Sequence, residues 1–318
     1  MDTVLSTTKF VVDNSRQVKI KKEEIKDFCE NFSESHINYW LNEAPLDFRK
    51  LNGKERFGLI LVFNALSFSY WGKPKWAVEY KGENFDGSFG MIAAIARAIE
   101  NKKPILNFNY LKKISEKDFD EILKGNVKIP LFSERLNILR ETGSILVRDF
   151  EGDFSKLVKK TNGDALKLLE LITKSFPSFN DFSSYKGKII YFQKRAQLLV
   201  SDIYQIFNGE SYGRMKNLDK ITASADYKLP MVLRNLGILE YAKDLENEID
   251  KGIEILKDSE EEVEIRANTI WAVEFIKEEL KKKIKKINSI HVNDHLWLLG
   301  QIKSSKDKPY HLTRTTAY

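Results

Sequence analysis

Apolar positions recur every three or four residues along most of the chain, a spacing that predicts helices. Phe192, Ala196, Leu199, Ile203 and Ile206 make one apolar stripe on a long helix. Val263, Ala267, Ile270, Val273, Ile276, Leu280 and Ile284 do much the same across Glu260–Ile287, whose acidic start and basic end suit the helix dipole. Met91–Ala98 is built of small and branched apolar residues and predicts a helix packed closely on a neighbour. Period-two alternation is scarce. Trp76–Gly90 reads as a hairpin or as an irregular aromatic loop. The pattern gives a mainly α fold with at most a minor β element.

Punctuation is equally uninterrupted. The seven prolines are scattered and no Gly/Ser-rich linker or internal repeat appears, so residues 1–318 are expected to form a single integrated domain. The lysine cluster Lys281–Lys286 lies on the helical pattern and reads as a solvated face. Apolar runs stay well short of the roughly 18 residues of a membrane span. The longest, Phe57–Phe68, is interrupted by Asn64.

Composition changes this picture little. The chain is 42% hydrophobic, 12% aromatic and 31% charged, values of a globular protein with a sizeable core. Lys and Arg number 52 against 46 Asp and Glu, for a net charge of +6. That surplus is mild and spread out, and by itself it does not argue for nucleic-acid binding. The single Cys29 excludes an internal disulfide and any cysteine-based zinc site. The start MDTVLSTTKFVVDNS lacks the basic flank and apolar stretch of a secretory signal, so a cytoplasmic protein is expected, with no membrane association.

Candidate chemistry is confined to a few segments. No Walker loop, dinucleotide fingerprint, HExxH motif or nucleophile elbow is present. His291 and His295 stand four apart without a third ligand nearby, so neither metal nor cofactor is expected. In ASADYKLPMVLRNLGILEYAKDLENEID, Pro230 fits a first helical turn and Gly237 ends a short helix, with a second helix expected from about Leu239. Asp226 just precedes that helix, either as its N-cap or as a carboxylate shown to a pocket. Lys194 and Arg195 are adjacent and cannot both lie on the apolar stripe. Exposure is the default for both, with an ion-pair role for Arg195 and a phosphate contact for Lys194 as the functional alternatives. KPYHLTRTTAY at the end of the sequence reads as a frayed tail or as one folded back over a site. The aromatics of SFSYW suit core packing or the stacking of a planar base.

Several of these segments, taken in order, resemble the queuosine salvage proteins. They are SFSYW, IPLFSERLNILRETGSIL, FPSFNDFSSYKGK, FQKRAQLLVSDIY, ADYKLPMVLRNLG, EVEIRANTIWAVE and HLTRTTAY. The resemblance runs from about Phe10 to Tyr318. It implies a helical fold similar to helix-hairpin-helix DNA glycosylases and an N-glycosidase that frees queuine, a 7-deazaguanine base, from queuosine 5′-phosphate for tRNA modification. By the same resemblance Asp226 is the catalytic carboxylate, and Lys194 with Arg314 holds the 5′-phosphate. Phe68, Trp71, Ser224, His36, Asn293 and Asp294 are the remaining substrate-binding candidates. The partner implied is a small nucleotide, with no stable nucleic-acid partner. Ser67, Gln193, Ser224, Asn293 and Leu298 depart from the family's pattern. Asn293 stands where that pattern has an Asp against the base, with Asp294 one residue along as a replacement by register shift. The alternatives are a glycosidase of the same fold acting on another purine or deazapurine nucleotide, and a non-catalytic module binding a modified nucleotide or nucleic acid.

Overall fold

The computed structural model of the chain describes residues 3–302 and 304–318. Among them are fourteen α-helices and three two-stranded antiparallel sheets, so the fold is mainly helical. No helix of the described residues is long and apolar enough to cross a membrane.

The two buried helices at the centre have different sequence origins. Gly53–Leu66 is buried at every position from Phe57 to Leu66, which is why its apolar residues show no one-sided period. Lys194–Ile206 does carry the predicted stripe, yet it too is buried on every side, with only Tyr204 partly exposed. Lys194 and Arg195 are therefore inside, against the expectation of exposure. The physical reason is that Arg195 finds acceptors at the C-terminal end of Gly53–Leu66. Its guanidinium donates to the carbonyls of Ala65 (2.8 Å), Asn64 (3.3 Å) and Ser178, so it pairs with carbonyls rather than with a carboxylate.

Helix Glu260–Leu280 ends four residues before Ile284, the last apolar position of its pattern, and Lys281–Lys283, Lys285 and Lys286 are exposed in turns beyond it. Met91–Ala98 lies inside helix Gly87–Glu100, buried from Gly90 to Ala96. Trp76–Gly90 contains a true hairpin, Ala77–Tyr80 with Glu83–Asp86, turned by Lys81 (φ 54°) and Gly82 (φ 83°). Two positive-φ residues are the two-residue turn that matches strand twist. A second Lys-Gly turn, Lys186 and Gly187, joins Phe182–Tyr185 to Lys188–Tyr191.

The expected helix pair after Asp226 is only half right. Helix Lys228–Asn235 forms with Pro230 in its first turn, and Gly237 (φ 74°) reverses the chain. Leu239–Tyr241 is then a strand, not the start of a helix, because its backbone pairs with Val18–Ile20 from the other end of the sequence. The next helix begins at Lys243. The segment 310–318 is folded back rather than frayed. Ile255 N–H donates to Leu312 O (2.8 Å), Ser69 N–H to Tyr318 O (2.7 Å) and Ser69 Oγ to Thr315 O (2.6 Å).

Helix Phe132–Phe150 approaches helix Phe108–Leu111 closely at Gly143. A Cβ there would sit 2.6 Å from the backbone nitrogen of Lys112. Backbone yields less readily than a flexible side chain, so Gly143→Ala is expected to destabilise the protein by about 1–3 kcal/mol, read as a lower urea midpoint with unchanged slope.

Candidate functional site

A two-lobed cleft lies where helix Lys194–Ile206, the turn before Lys228–Asn235, helix Ser289–Leu299 and the segment 310–318 meet. The outer lobe is walled by Trp71, Lys75, Tyr227, Lys228, Tyr310 and Tyr318, with about 530 Å³ of space counted to its mouth. The inner lobe is walled by Trp40, Phe63, Leu198, Ser224, Leu229 and Asn293, with about 340 Å³. Ser88, Lys194, Asp226 and Trp297 belong to both lobes and so mark their junction. These sizes are in the range of small-ligand pockets, ~300–1,000 Å³.

At the junction Asp226 combines the two roles its sequence position allowed. Its Oδ1 accepts from the backbone N–H of Lys228 (2.8 Å) and Leu229 (3.0 Å), capping the helix. Its Oδ2 has no hydrogen-bond partner among the described residues. Burial raises the Asp226 pKa, while the Lys194 ammonium and the two capping N–H groups pull it back. Lys194 is the reciprocal case. Burial lowers its pKa, opposed first by the Asp226 carboxylate, and its ammonium makes no hydrogen bond or ion pair among the described residues. A buried cation without a partner beside a half-used carboxylate is an arrangement set up for a ligand that brings an anion.

Lys194 is held by its own backbone. Its N–H donates to Asp181 Oδ2 (3.1 Å), and Asp181 is bound in turn by the Arg266 guanidinium at 3.1 and 2.5 Å. Arg266 also stacks on Phe192 (3.9 Å) and on Tyr318 (4.5 Å), which carries the pair to the cleft wall. The carboxyl of Asp181 is held below its ordinary pKa by Arg266, against its own burial.

The predicted residues are only partly brought together. Lys194, Ser224, Asp226 and Asn293 meet at the inner lobe. Phe68 and Trp71 line the outer lobe instead, and their rings are already engaged. Arg135 and Arg195 lie 4.1 and 5.2 Å from the Phe68 ring, and Arg314 lies 4.5 Å from that of Trp71. Arg314 itself is exposed, paired with Glu254 at 3.3 Å, and is not part of the cleft wall. His36 is also exposed and outside the cleft, where its Nδ1 accepts from Ser33 N–H (3.0 Å) and its ring meets His295.

Asp294 is fully buried behind the inner lobe and does not replace Asn293 in its wall. Helical rotation turns it away by about 100°. There its Oδ1 accepts from Asn293 Nδ2 (3.0 Å), while Asn293 Oδ1 accepts from Ser224 N–H (2.9 Å). His291 and His295 form no metal site: Tyr39 Oη lies 3.0 Å from His291 Nε2, and Asn288 N–H donates to its Nδ1. Among the described residues no group of three or more His, Cys, Asp or Glu is arranged to hold a metal ion.

Sequence reasoning missed the aromatic lining of the inner lobe. Trp40 lies 5.1 Å from Phe63 and 5.6 Å from Trp297, and Phe89 backs Trp297 at 5.2 Å. Trp297 lies four residues after Asn293 and three after Asp294, both named from the sequence. Trp40, in a one-turn 3-10 segment without periodicity, gave no signal.

Two predictions follow from these placements. Asp226→Asn keeps an oxygen for the cap and should leave the thermal midpoint nearly unchanged, whereas Asp226→Ala should lose about 1 kcal/mol. Asp202 and Asp294 are both pushed up to about 7 by burial. An unfolded Asp titrates near ~3.9, so the folded state binds the extra protons and its stability falls as pH rises from about 4 to about 7. Melting curves across that window should show the fall, and Asp294→Asn should flatten it.

The family model described as queuosine salvage protein matches residues 48–318. A Sphaerobacter thermophilus protein named queuosine 5′-phosphate N-glycosylase/hydrolase is 39% identical over 99% of this chain and 97% of its own length. Proteins of the same name from Mus musculus and Schizosaccharomyces pombe are 33% and 32% identical, over 98% and 95% of this chain and 97% and 92% of their own. With the family matched over most of its length and relatives aligned nearly end to end, the chain belongs to the queuosine salvage proteins.

Proposed function

We propose that this chain hydrolyses the N-glycosidic bond of queuosine 5′-phosphate and releases queuine for reuse in tRNA modification. The relatives' names supply the substrate, and one observation carries the mechanism: Asp226 lies with Lys194 at the junction of two lobes, an inner one walled by Trp40, Phe63 and Trp297 and an outer one that adds Lys75 and Lys228. A nucleotide has the same plan, with its scissile bond at the junction. The base enters the lobe of Trp40, Phe63 and Trp297, and the ribose phosphate lies in the outer lobe, its charge answered by Lys194.

Breaking the C1′–N bond leaves positive charge on the ribose, and Asp226 Oδ2 is the anion that stabilises it and orients the attacking water. Water adds its oxygen to C1′, the bonding pair leaves with the base, and one water proton ends on the base. A 7-deazapurine has carbon in place of N7, so protonation there cannot assist departure. More of the barrier is then met by the carboxylate and by the dry walls of the lobe. Lys194 contributes remote binding energy that fixes the sugar against Asp226.

Kinship to helix-hairpin-helix DNA glycosylases is supported by helix Lys228–Asn235 and its Gly237 turn, and a single integrated domain by the contacts of segment 310–318. A cytoplasmic setting without a stable nucleic-acid partner completes the proposal. A second reading keeps the hydrolysis and changes the base. It is favoured by the inner lobe having no carboxylate in its wall other than Asp226 at the junction.

Purified protein incubated with queuosine 5′-monophosphate is expected to release free queuine, followed by mass spectrometry. Asp226→Asn should lower kcat on the order of 10²–10³-fold. Lys194→Ala should raise KM for the monophosphate by about 10- to 100-fold and move the bare nucleoside much less. No release by the wild type, or equal release by Asp226→Asn, overturns the assignment. A panel of guanosine and 7-deazaguanosine monophosphates separates the two readings.

A further inference from the structure

The inner lobe is shaped from behind by two carboxylates that the hydrolysis does not use. Asp202, on helix Lys194–Ile206, and Asp294, on helix Ser289–Leu299, are both fully buried. They grip the same residue at two points. Trp40 Nε1–H donates to Asp202 Oδ1 (2.9 Å), and Trp40 backbone N–H donates to Asp294 Oδ2 (3.3 Å). Asp202 Oδ2 also accepts from Asn64 Nδ2 (2.6 Å), and Asp294 Oδ2 from Gln205 Nε2 (2.8 Å). Through Asn293 and Ser224 N–H, Asp294 reaches a second wall of the lobe.

The charge in this network does not balance. Each hydrogen-bond partner of the two carboxylates is a donor, while Asn64 Oδ1 and Gln205 Oε1 are buried acceptors with no donor among the described residues. Lys194 is the cation whose field reaches Asp202, and it forms no bond to it. Asp226 is the carboxylate whose field acts most on Lys194. From the side of Tyr39, burial holds the phenol neutral, and the His291 ring it touches is pushed down to about 4 and is neutral too. Two negative charges in one dry network repel each other, and a single proton relieves both the repulsion and the shortage of donors.

We propose that Asp202 and Asp294 are positioning residues that share one proton and hold Trp40 and Asn293 in the shape that receives the base. This rests on the base occupying the inner lobe. Loss of the shared proton puts a second charge in the buried network behind Trp40; repulsion between the two carboxylates then drives them apart, distorts the wall they hold and weakens substrate binding, while the bond-breaking at Asp226 is left to the junction. The pair therefore acts on KM and not on the pH course of kcat.

The experiment measures kcat and KM for queuosine 5′-monophosphate from pH 5.5 to 9 in wild type, Asp202→Asn and Asp294→Asn. If only the singly protonated pair binds, wild-type KM rises about tenfold per pH unit on the alkaline side of its midpoint. Each Asn variant, with one carboxyl left, loses that limb, and kcat keeps its wild-type pH course. The substrate's phosphate titrates near ~6 and does so identically with all three proteins. Trp40→Phe removes only the indole donor to Asp202, so its limb moves to higher pH, and it serves if the Asn variants do not fold. A flat wild-type KM, a limb that persists in both Asn variants, or an unmoved limb in Trp40→Phe overturns the inference. Absence of queuine release by the wild type at every pH instead overturns the functional reading beneath it.

Discussion

The buried ion pair of Arg266 with Asp181 is the constraint on which the cleft depends. It joins helix Glu260–Leu280 to the turn that precedes helix Lys194–Ile206. The Asp181 carbonyl accepts from Phe192 N–H (3.1 Å) and Gln193 N–H (3.0 Å), and its carboxylate from Lys194 N–H. Gln193 is thereby held in the left-handed region (φ 51°), a conformation a non-glycine residue keeps only when its surroundings enforce it. Arg266 answers with its guanidinium face, stacked on Phe192 and Tyr318. One charge pair thus fixes where Lys194 starts its helix and where Tyr318 closes the outer lobe. A buried pair of this kind is weak as a source of net stability, yet strongly destabilising when one partner is removed. Its contribution is positional.

How much of this was legible in the sequence follows from the range of the interactions. The helices were, because 3.6-residue periodicity is local, and so was the Trp76–Gly90 hairpin as one of two readings. Pro230 and Gly237 marked their short helix correctly. The strand Leu239–Tyr241 was not legible, because its partner Val18–Ile20 lies more than two hundred residues away and three residues carry no period of their own. The burial of Lys194 and Arg195 was not legible either. Charged residues are exposed by default, and the carbonyls, the Asp181 contact and the ligand-facing cleft that reverse this are all long-range.

The candidate site divides along the same line. Asp226, Lys194, Ser224 and Asn293 came from motifs, and they do converge. Phe68, Trp71, Arg314 and His36 also came from motifs or residue type, but their rings and charges are taken up by neighbours: two arginines, Arg314, Glu254 and Ser33 respectively. An aromatic can offer a base only a face that nothing else covers. Sequence shows the ring and not the cover: guanidinium groups lie by the Phe68 and Trp71 rings of the outer lobe, while Trp40, Phe63 and Trp297 line the inner one.

Asp226 shows why the bland and the functional readings of a residue need not compete. A carboxylate has two oxygens, and the helix start uses one of them. That use orients the side chain, and two N–H donors with the helix dipole behind them favour its ionised form. Burial opposes ionisation, and Lys194 offsets burial without bonding to the free oxygen. The cap therefore supplies a fixed direction and leaves one oxygen uncommitted, while its two N–H donors work with Lys194 against the burial that raises the carboxyl's pKa. The same helix start that makes Asp226 structural is what makes it available for chemistry.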